Sequence, residues 1–435
     1  MDTNFDETKP IRIDRLKVVG LKRTKDDIVI KATKCLFNSK TLGDAISNIN
    51  EAKANLARLN CFSEINVKLD VNSINDQESF LVQFDIKETN WIQATIKFAS
   101  DVSYEFNNNP KISSNFSLTN LFCRGEKLDM STDLYSAKKF STGSITFSKP
   151  LIAPLKPNFH ASIFKNYLNK SKFGFFQDEA GLSSGFNLEY NSLKLTLGWE
   201  GVMRTLGQSV SPPFGIREQL GLSLKSSLKM VSTYDTRNSE IFPLNGTLLQ
   251  HIVEVAGLGG NHEFIKNEVL LQKNIRSFFA TTITGSLSFG VLESNGKSNI
   301  LDNFYLGGPL TFRGFDDYGI GKQYDGSVTG GTMYWRLNTH FHVPLPFLSE
   351  KNQLSHFIRM HVFMNSGNIG NRQGTLTNDI KSLLRNIRLS FGAGLAFHMN
   401  NMLRFELNYC LPVYYQNGDS IILNRCQWGF GFSYQ

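Results

Sequence analysis

The sequence has few cysteines, no long apolar run and little charge over most of its length. Its five cysteines are odd in number and scattered over 435 residues, so they suggest neither a disulfide framework nor a zinc site. No apolar run approaches the ~18 residues of a membrane-spanning helix, which excludes a helical membrane protein. A closed β-barrel, whose strands alternate apolar and polar side chains, is not excluded.

Charge is distributed unevenly along the chain. Residues 1–90 hold 28 charged side chains, whereas the following 345 residues hold only 56. The first density suits a water-facing surface, and the second is too low to cover an ordinary soluble domain. We therefore predict a domain boundary near residue 90, with a flexible segment over residues 1–10. Residues 1–8 are acidic and resemble neither a secretory leader nor a transit peptide, so we expect no cleavage there.

Apolar spacing predicts the order of elements in the first domain. A period of two over residues 11–19, 65–71 and 80–86 predicts three strands, and helical spacing predicts two helices after the first of them. Thr24 and Thr41 each stand three residues before an aspartate, the spacing of an N-terminal capping box. The order βααββ predicts a small α+β domain with helices on one face of a single sheet.

The remaining residues predict sixteen strands of about 9–11 residues, the sixth beginning near Ser184 and the twelfth near Ser327. Apolar and polar side chains alternate, but alternation alone does not say which face is outside. A soluble sandwich would hide the apolar row, whereas a membrane barrel would turn it toward lipid. Low charge, an even strand count and a terminal aromatic row favour the barrel. That row is Trp428, Phe430, Phe432 and Tyr434.

Several motifs occur in an order that is similar to one known family. The segment Leu306-Gly-Gly-Pro-Leu-Thr-Phe-Arg-Gly-Phe315 resembles the signature of the BamA superfamily of barrel insertases and transporters, in which an Arg-Gly-aromatic tip folds into the lumen. Further matches are Asn120-Leu-Phe-Cys-Arg-Gly-Glu126, Ser148-Lys-Pro150 and Asp235-Thr-Arg237. The first domain resembles a single POTRA (polypeptide-transport-associated) domain. This combination looks most like the mitochondrial branch, the sorting and assembly machinery.

The resemblance implies a fold and a function together. The fold is an all-β transmembrane 16-stranded antiparallel barrel over residues 91–435, with an in-folded loop at 292–327, preceded by an α+β POTRA domain over 11–90. The implied function is folding and insertion of β-barrel precursor proteins into the mitochondrial outer membrane, with the POTRA domain in the intermembrane space. Implied partners are those precursors, metaxin-like cytosol-facing subunits and outer-membrane lipids. We expect no enzyme activity, no cofactor, no metal ion and no nucleic acid.

The loop motif supplies the first set of candidate residues: Arg313, Gly314 and Phe315. Gly314 and the preceding glycines are also turn residues in any context, so a plain turn is the alternative interpretation. Asn365 stands where bacterial relatives often carry the aspartate that holds this arginine, so Arg313 could donate to the Asn365 carbonyl. Glu406 and Asp129, also on polar faces, are the other candidate partners.

The first and last barrel strands supply the second set. Unpaired backbone amides cost several kcal/mol each in hydrocarbon, so an inserting strand must stay paired. We hypothesise that residues 91–99 and 426–434 form a weak seam, or lateral gate, whose edges pair with a client strand. Its candidate residues are Ile92, Ala94, Ile96, Phe98, Gly429, Phe430, Gly431 and Phe432. The two glycines either loosen the seam or fit a tight bend of the barrel.

The last strand also resembles the sorting signal of mitochondrial barrel precursors, which has a polar residue, a glycine and two spaced hydrophobic residues. The matching positions are Gln427, Gly429, Phe432 and Tyr434. An ordinary final strand with interfacial aromatic residues is the alternative. For the whole protein, the alternatives are a passive outer-membrane pore, a polypeptide translocation channel and a soluble β protein that binds a ligand or partner.

Overall fold

The computed structural model describes residues 10–74, 77–101, 109–135, 141–170, 175–208, 214–239, 243–277, 281–296, 299–321, 323–324, 327–345, 357–399 and 403–432. The predicted flexible segment 1–10 lies outside the described residues, apart from Pro10, which forms a β-bridge with Thr41. Among the described residues, no helix is both long enough and apolar enough to cross a bilayer.

The N-terminal domain is one three-stranded sheet with two helices. Its elements are β1 (Arg12–Val19), α1 (Asp26–Thr33), a 3-10 turn (Lys34–Asn38), α2 (Leu42–Arg58), β2 (Phe62–Ile74) and β3 (Gln77–Glu88). β3 is central, parallel to β1 and antiparallel to β2. Buried side chains of the sheet and both helices, among them Val29, Leu56 and Phe84, form one core. The predicted βααββ order is confirmed.

The two predicted capping boxes have different outcomes. Thr41 accepts the amide of Asp44 and Asp44 accepts that of Thr41, so this capping box is confirmed. At the first helix the prediction is wrong, because α1 begins at Asp26 with no side-chain cap. The Thr24 hydroxyl instead donates to Glu88 Oε1 at 2.7 Å. A hydrogen bond to an ionised carboxylate is stronger than one to a neutral group at the start of a helix. Because Glu88 is distant along the chain, local spacing cannot reveal this partner.

The larger sheet has sixteen antiparallel strands, and its order follows the chain. A two-stranded hairpin of β15 (Gln323–Tyr324) and β16 (Ser327–Val328) lies between β14 and β17. The sixteen strands are β4 (Ile92–Asp101), β5 (Asn109–Thr119), β6 (Lys127–Tyr135), β7 (Ser141–Pro150), β8 (Asn158–Lys170), β9 (Phe175–Tyr190), β10 (Leu193–Gln208), β11 (Gly221–Asp235), β12 (Gly246–Ala256), β13 (Phe264–Arg276), β14 (Thr282–Ser294), β17 (Met333–Pro344), β18 (Ile358–Gly370), β19 (Arg388–Met399), β20 (Leu403–Tyr414) and β21 (Cys426–Phe432).

The number of strands is confirmed, but many strands are longer than the predicted 9–11 residues and two predicted starts are wrong. β9 and β10, the longest, each have 16 residues. The sixth strand begins at Phe175 rather than near Ser184, because its first residues include several polar side chains that break the apolar alternation. The twelfth begins at Met333, since Ser327 belongs to the small hairpin.

The apolar face of the sheet points outward. In β17, Leu337, Phe341 and Val343 are 36–47% exposed, whereas the alternate residues Asn338 and His340 are at most 8% exposed. An outward apolar row around a polar interior is the arrangement of a transmembrane barrel and the reverse of a soluble sandwich. The ambiguity that alternation left is therefore resolved in favour of the barrel.

The N-terminal domain contacts the barrel at the turn between β5 and β6. The Asn120 amide donates to Thr24 Oγ1 at 2.9 Å, and the Lys25 amide donates to the Cys123 carbonyl at 2.9 Å. An ion pair of 2.8 Å joins Arg124 to Asp27. Because β4 leaves this domain directly and successive strands are antiparallel, the described parts of the loops after β10, β14, β18 and β20 start from the opposite end of the barrel. Two short helices, α3 (Phe214–Arg217) and α4 (Leu376–Arg385), lie in those loops.

Candidate functional site: the in-folded loop and the two edge strands

The loop between β14 and β17 folds into the barrel and packs as a small core. It covers residues 295–332, so the predicted bounds of 292–327 are wrong at both ends: β14 continues to Ser294 and the loop extends beyond 327. Backbone bridges join Phe304 to Gly331 and Leu306 to Ile320. Phe304, Leu306, Phe312, Phe315 and Ile320 are buried against wall residues of the barrel. The loop therefore has its own folded structure inside the lumen.

The tip of the loop is a tight turn followed by the Arg-Gly-aromatic motif. The Phe312 amide donates to the Gly308 carbonyl at 2.8 Å, which closes the turn. Gly314 has a φ of +91°, and a Cβ there would lie 3.2 Å from Cβ of Ser390. The backbone conformation favours glycine, and any larger residue would also crowd Ser390. The predicted turn exists, and the motif follows it.

Arg313 is held by a buried carboxylate on β20. Its Nε and Nη2 donate to Oε2 of Glu406 at 2.9 and 2.7 Å, and Asn408 donates to the same oxygen at 2.9 Å. Arg313 is 1% exposed and Glu406 is fully buried. The guanidinium carbon lies 5.1 Å from the ring centroid of Phe363. A pair this deeply buried fixes the position of the tip, because losing either partner leaves a buried charge uncompensated.

Asn365 is not the acceptor for Arg313, so that prediction is wrong. Its amide donates to Ser390 Oγ at 3.3 Å, and Ser390 donates to the Arg313 carbonyl at 2.5 Å. Asn365 thus reaches the loop backbone through Ser390. Asp129 accepts from Ser117 and pairs with Lys127 at 2.8 Å, far from the loop in the strand order. Glu406 is the acceptor for Arg313 because its strand, β20, runs directly beside the loop tip.

The loop tip also binds the last strand. The Gly314 amide donates to Gln427 Oε1 at 2.9 Å, and Gln427 Nε2 donates to the Phe315 carbonyl at 2.8 Å. A Cβ on Gly429 would lie 3.2 Å from Leu310 Cδ2. Glycine at position 429 therefore makes room for the loop, a reason that neither of the two sequence interpretations contained.

The connector between β20 and β21 continues this contact. The Asp316 amide donates to the Ser420 carbonyl at 3.0 Å, the Ser420 hydroxyl bonds Asp316, and Phe315 forms a backbone bridge with Ile421. Nearby, Arg388 pairs with Asp419 at 3.0 Å. Sequence reasoning missed these residues, because their partners are about a hundred positions away or on irregular backbone without periodicity.

The first and last strands are the two ends of the sheet order. β4 pairs with β5 and β21 pairs with β20, and among the described residues no backbone pairing joins β4 to β21. Ile92 and Ile96 are 43% and 67% exposed, and Ala94 between them is exposed as well. Gly431 pairs with Arg404 in the ladder. The side chains of Phe98, Phe430 and Phe432, and all of Tyr434, lie outside the described part of the chain.

Comparisons with known proteins agree with this architecture. The Omp85 superfamily domain matches residues 84–434. The chain is 34% identical to the sorting and assembly machinery component 50 homolog of Homo sapiens, over 98% of this chain and 91% of that protein. It is 30% identical to the SAM50-like protein CG7639 of Drosophila melanogaster, over 100% and 97%.

Among solved structures, BamA from Haemophilus ducreyi lacking POTRA domains 1–3 has a TM-score of 0.75 at 16% identity, covering 97% of this chain and 84% of that one. This match concerns the fold alone. Fold and site together define a protein of the Omp85 superfamily. Within that superfamily, the chain belongs to the family of sorting and assembly machinery component 50 homologs.

Proposed function

We propose that this protein folds and inserts β-barrel precursor proteins into the mitochondrial outer membrane by pairing client strands at the seam between β4 and β21. Family membership supports the general role and the compartment. The observation that carries the mechanism is the pair of strand edges at the seam, which have no backbone pairing with each other among the described residues. An edge strand presents its backbone groups to an incoming strand, so these groups can keep a client paired in hydrocarbon.

The loop tip forms a binding site for the last strand of the barrel, and we propose that a client strand competes for this site. The amide of Gln427 fits between the Gly314 amide and the Phe315 carbonyl, and Gly429 leaves space for Leu310. These are the first two positions of the sorting-signal-like pattern. A client strand with an amide side chain two residues before a glycine would make the same contacts. Phe432 and Tyr434 supply the two hydrophobic positions of the sequence pattern.

The two ends of the barrel suggest where the other partners bind. We assign residues 11–90 to a POTRA domain in the intermembrane space, and the opposite end to the metaxin-like, cytosol-facing subunits. That opposite end contains a cavity of about 1340 Å³, lined partly by Phe214, Leu258 and Arg372. The outward apolar face of the barrel contacts outer-membrane lipids.

Site-specific crosslinking tests the seam. Cysteines at Ile96→Cys and Phe430→Cys, each with Cys426→Ser, should crosslink to a porin precursor stalled during insertion. Ile163→Cys is the matched control, because Ile163 is equally apolar and 59% exposed but lies on β8, away from the seam. Equal crosslinking from all three positions would refute seam pairing. The hydroxyl groups of Ser162 and Ser183 hydrogen-bond each other on the lumen-facing side of the sheet. Crosslinks mainly from such lumen-facing positions would favour a translocation channel.

The loop is tested by Arg313→Ala. Because Glu406 would remain buried without its cation, the loop tip should move away from β20. Porin precursors should then accumulate unassembled, while the barrel itself stays in the membrane. Arg124→Ala, which removes an exposed ion pair, is the control. Normal porin assembly with Arg313→Ala would remove the loop from the mechanism, and metabolite conductance without client binding would favour a passive pore.

A further inference from the structure

A second buried ion pair holds the loop, on the side of the barrel away from the seam. Asp302 in the loop accepts two hydrogen bonds from Arg204 of β10, at 2.7 and 3.1 Å. The two side chains are 7% and 3% exposed. Lys266 of β13 donates to the Asp302 carbonyl at 2.8 Å and lies over the Phe304 ring at 4.4 Å. We call Arg204 and Asp302 the far-wall anchor, and Arg313 and Glu406 the tip anchor.

The two anchors lie on opposite walls. In the order of sixteen strands that begins with β21, β20 is second and β10 is tenth, so eight of sixteen steps separate them. Only eleven positions separate Asp302 from Arg313 in the chain. The bridges from Phe304 to Gly331 and from Leu306 to Ile320 brace the loop between the anchors. The loop therefore spans the lumen as a braced segment fixed at both ends.

The far-wall end is fixed by more than its charges. The Ile300 amide donates to Gln219 Oε1 at 2.7 Å, and Ile300 packs with Phe175, Leu206 and Ile216. None of these residues contributes to the tip anchor. The base of the loop thus has its own contacts with β9, β10 and the connection between β10 and β11, and its position sets where the braced segment ends on the other side.

We propose that Asp302 is a positioning residue: its pairing with Arg204 fixes the reach of the loop, so that Gly314 and Phe315 meet the last strand. A charged pair this deeply buried gives one preferred position, whereas a base held only by apolar packing can slide or tilt. The consequence for client insertion rests on the function proposed above. The positional claim does not, because it concerns the resting barrel without a client.

The test measures the distance between the tip and the connector before β21. Asp316 and Ser420 are in contact, so the double variant Asp316→Cys with Ser420→Cys, carrying Cys426→Ser, should form a disulfide readily. Adding Asp302→Asn should lower the crosslinking rate by about tenfold or more, because one partner of a buried pair is left uncompensated. Arg204→Gln should have the same effect, and it serves if Asp302→Asn does not fold.

Two controls separate positioning from general damage. Asp302→Glu retains the carboxylate and should restore crosslinking to within about twofold of the parent. Glu293→Gln removes an exposed ion pair with Arg372 at the base of the same loop and should change nothing. Folding of each barrel is checked by its compact migration on unheated gels.

Each outcome decides one claim. Parental crosslinking rates in folded Asp302→Asn and Arg204→Gln barrels would overturn the positioning role. Slow crosslinking together with normal precursor assembly would support the positioning role of Asp302. The same result would refute the claim that the loop takes part in precursor insertion. Slow crosslinking with impaired assembly, both restored by Asp302→Glu, is the result that we expect.

Discussion

The two edges of the seam are held in different ways. On β21, Gln427 and Gly429 are buried beneath the loop tip, which bonds the first and packs against the second. On β4, the side chains from Ile92 to Ile96 are exposed. The base of β4 is held from outside the barrel, where the Arg23 guanidinium lies 4.9 Å from the Trp91 ring centroid.

Under the proposed function, this difference implies different roles for the two edges. The interactions of β21 with the loop are few, specific and reproducible by another strand of the same chemistry. β4 is tied to the N-terminal domain, and within the described part of the chain its second edge has no backbone partner. Under the proposed function, β4 is the permanent template and β21 is the strand that a client displaces.

The largest expected effect comes from removing the charge that holds the tip beside β21. Glu406→Gln leaves Arg313 buried without a counter-charge, so it should lower the free energy of unfolding by about 3–5 kcal/mol. The matched change on the β4 side is Asp129→Asn, whose pair with Lys127 is partly exposed. Asp129→Asn should lower the free energy of unfolding by no more than about 1 kcal/mol. Urea unfolding of the refolded barrels in micelles measures both values.

Equal losses for the two variants would contradict the comparison, since they would show that buried and exposed pairs contribute alike. A small loss for Glu406→Gln with an intact tip-to-connector crosslink would show that other contacts hold the loop.

A smaller effect is expected where the loop packs against the last strand. Gly429→Ala places a methyl group 3.2 Å from Leu310 Cδ2 and 3.4 Å from Pro309 Cβ. Overpacking of this kind lowers stability by about 1–3 kcal/mol, and the low end applies because the leucine can shift. Gly143→Ala on β7 is the control, since its nearest contact would be 3.6 Å. It should change stability by less than about 0.5 kcal/mol.

Thermal unfolding, followed by circular dichroism, compares these two alanine variants. A loss at Gly143 as large as that at Gly429 would indicate a general intolerance of alanine in the barrel rather than contact with the loop.

The smallest expected effect is a pH dependence at the base of β4. Burial tends to raise the pKa of Glu88, but hydrogen bonds from the Thr24 hydroxyl and from the backbone amides of residues 22–24 outweigh it, so the net pKa is lowered. Because the folded pKa is below the unfolded one, this carboxylate stabilises the fold above its unfolded pKa of 4.5, and the contribution disappears as the pH falls through the folded pKa.

Acid titration of tryptophan fluorescence should therefore report loosening around Trp91 below about pH 4.5. Glu88→Gln should remove that component. An unchanged titration curve in Glu88→Gln would assign the transition to other carboxylates.

The sequence predicts those features of the fold that repeat locally. Alternation of apolar and polar side chains is sufficient for the strand count, and the threonine-to-aspartate spacing locates the start of α2. Alternation does not predict the start of β9, because pairing with β8 and β10 extends this strand through polar residues. The threonine-to-aspartate spacing fails at Thr24, whose partner Glu88 is 64 positions away.

The site was predictable in composition but not in geometry. The resemblance pointed to Arg313, and the polar-face pattern included Glu406 among three candidates. Choosing among them needs the height of the tip relative to each strand, which depends on register and on the path of a 38-residue loop between Ser294 and Met333. The far-wall anchor carries no local signal at all, because Asp302 and Arg204 are 98 positions apart and meet only when the loop folds into the barrel.

The most direct measurement joins β4 to β21 reversibly. A cleavable bifunctional crosslinker between Ile96→Cys and Phe430→Cys, with Cys426→Ser, is compared with the same linker between Ile163→Cys and Leu182→Cys, which face each other on the outer surface of β8 and β9. We expect precursor assembly to stop only when the first pair is linked, and to resume after the linker is cleaved. Undiminished assembly by the linked seam would contradict strand exchange at these two edges.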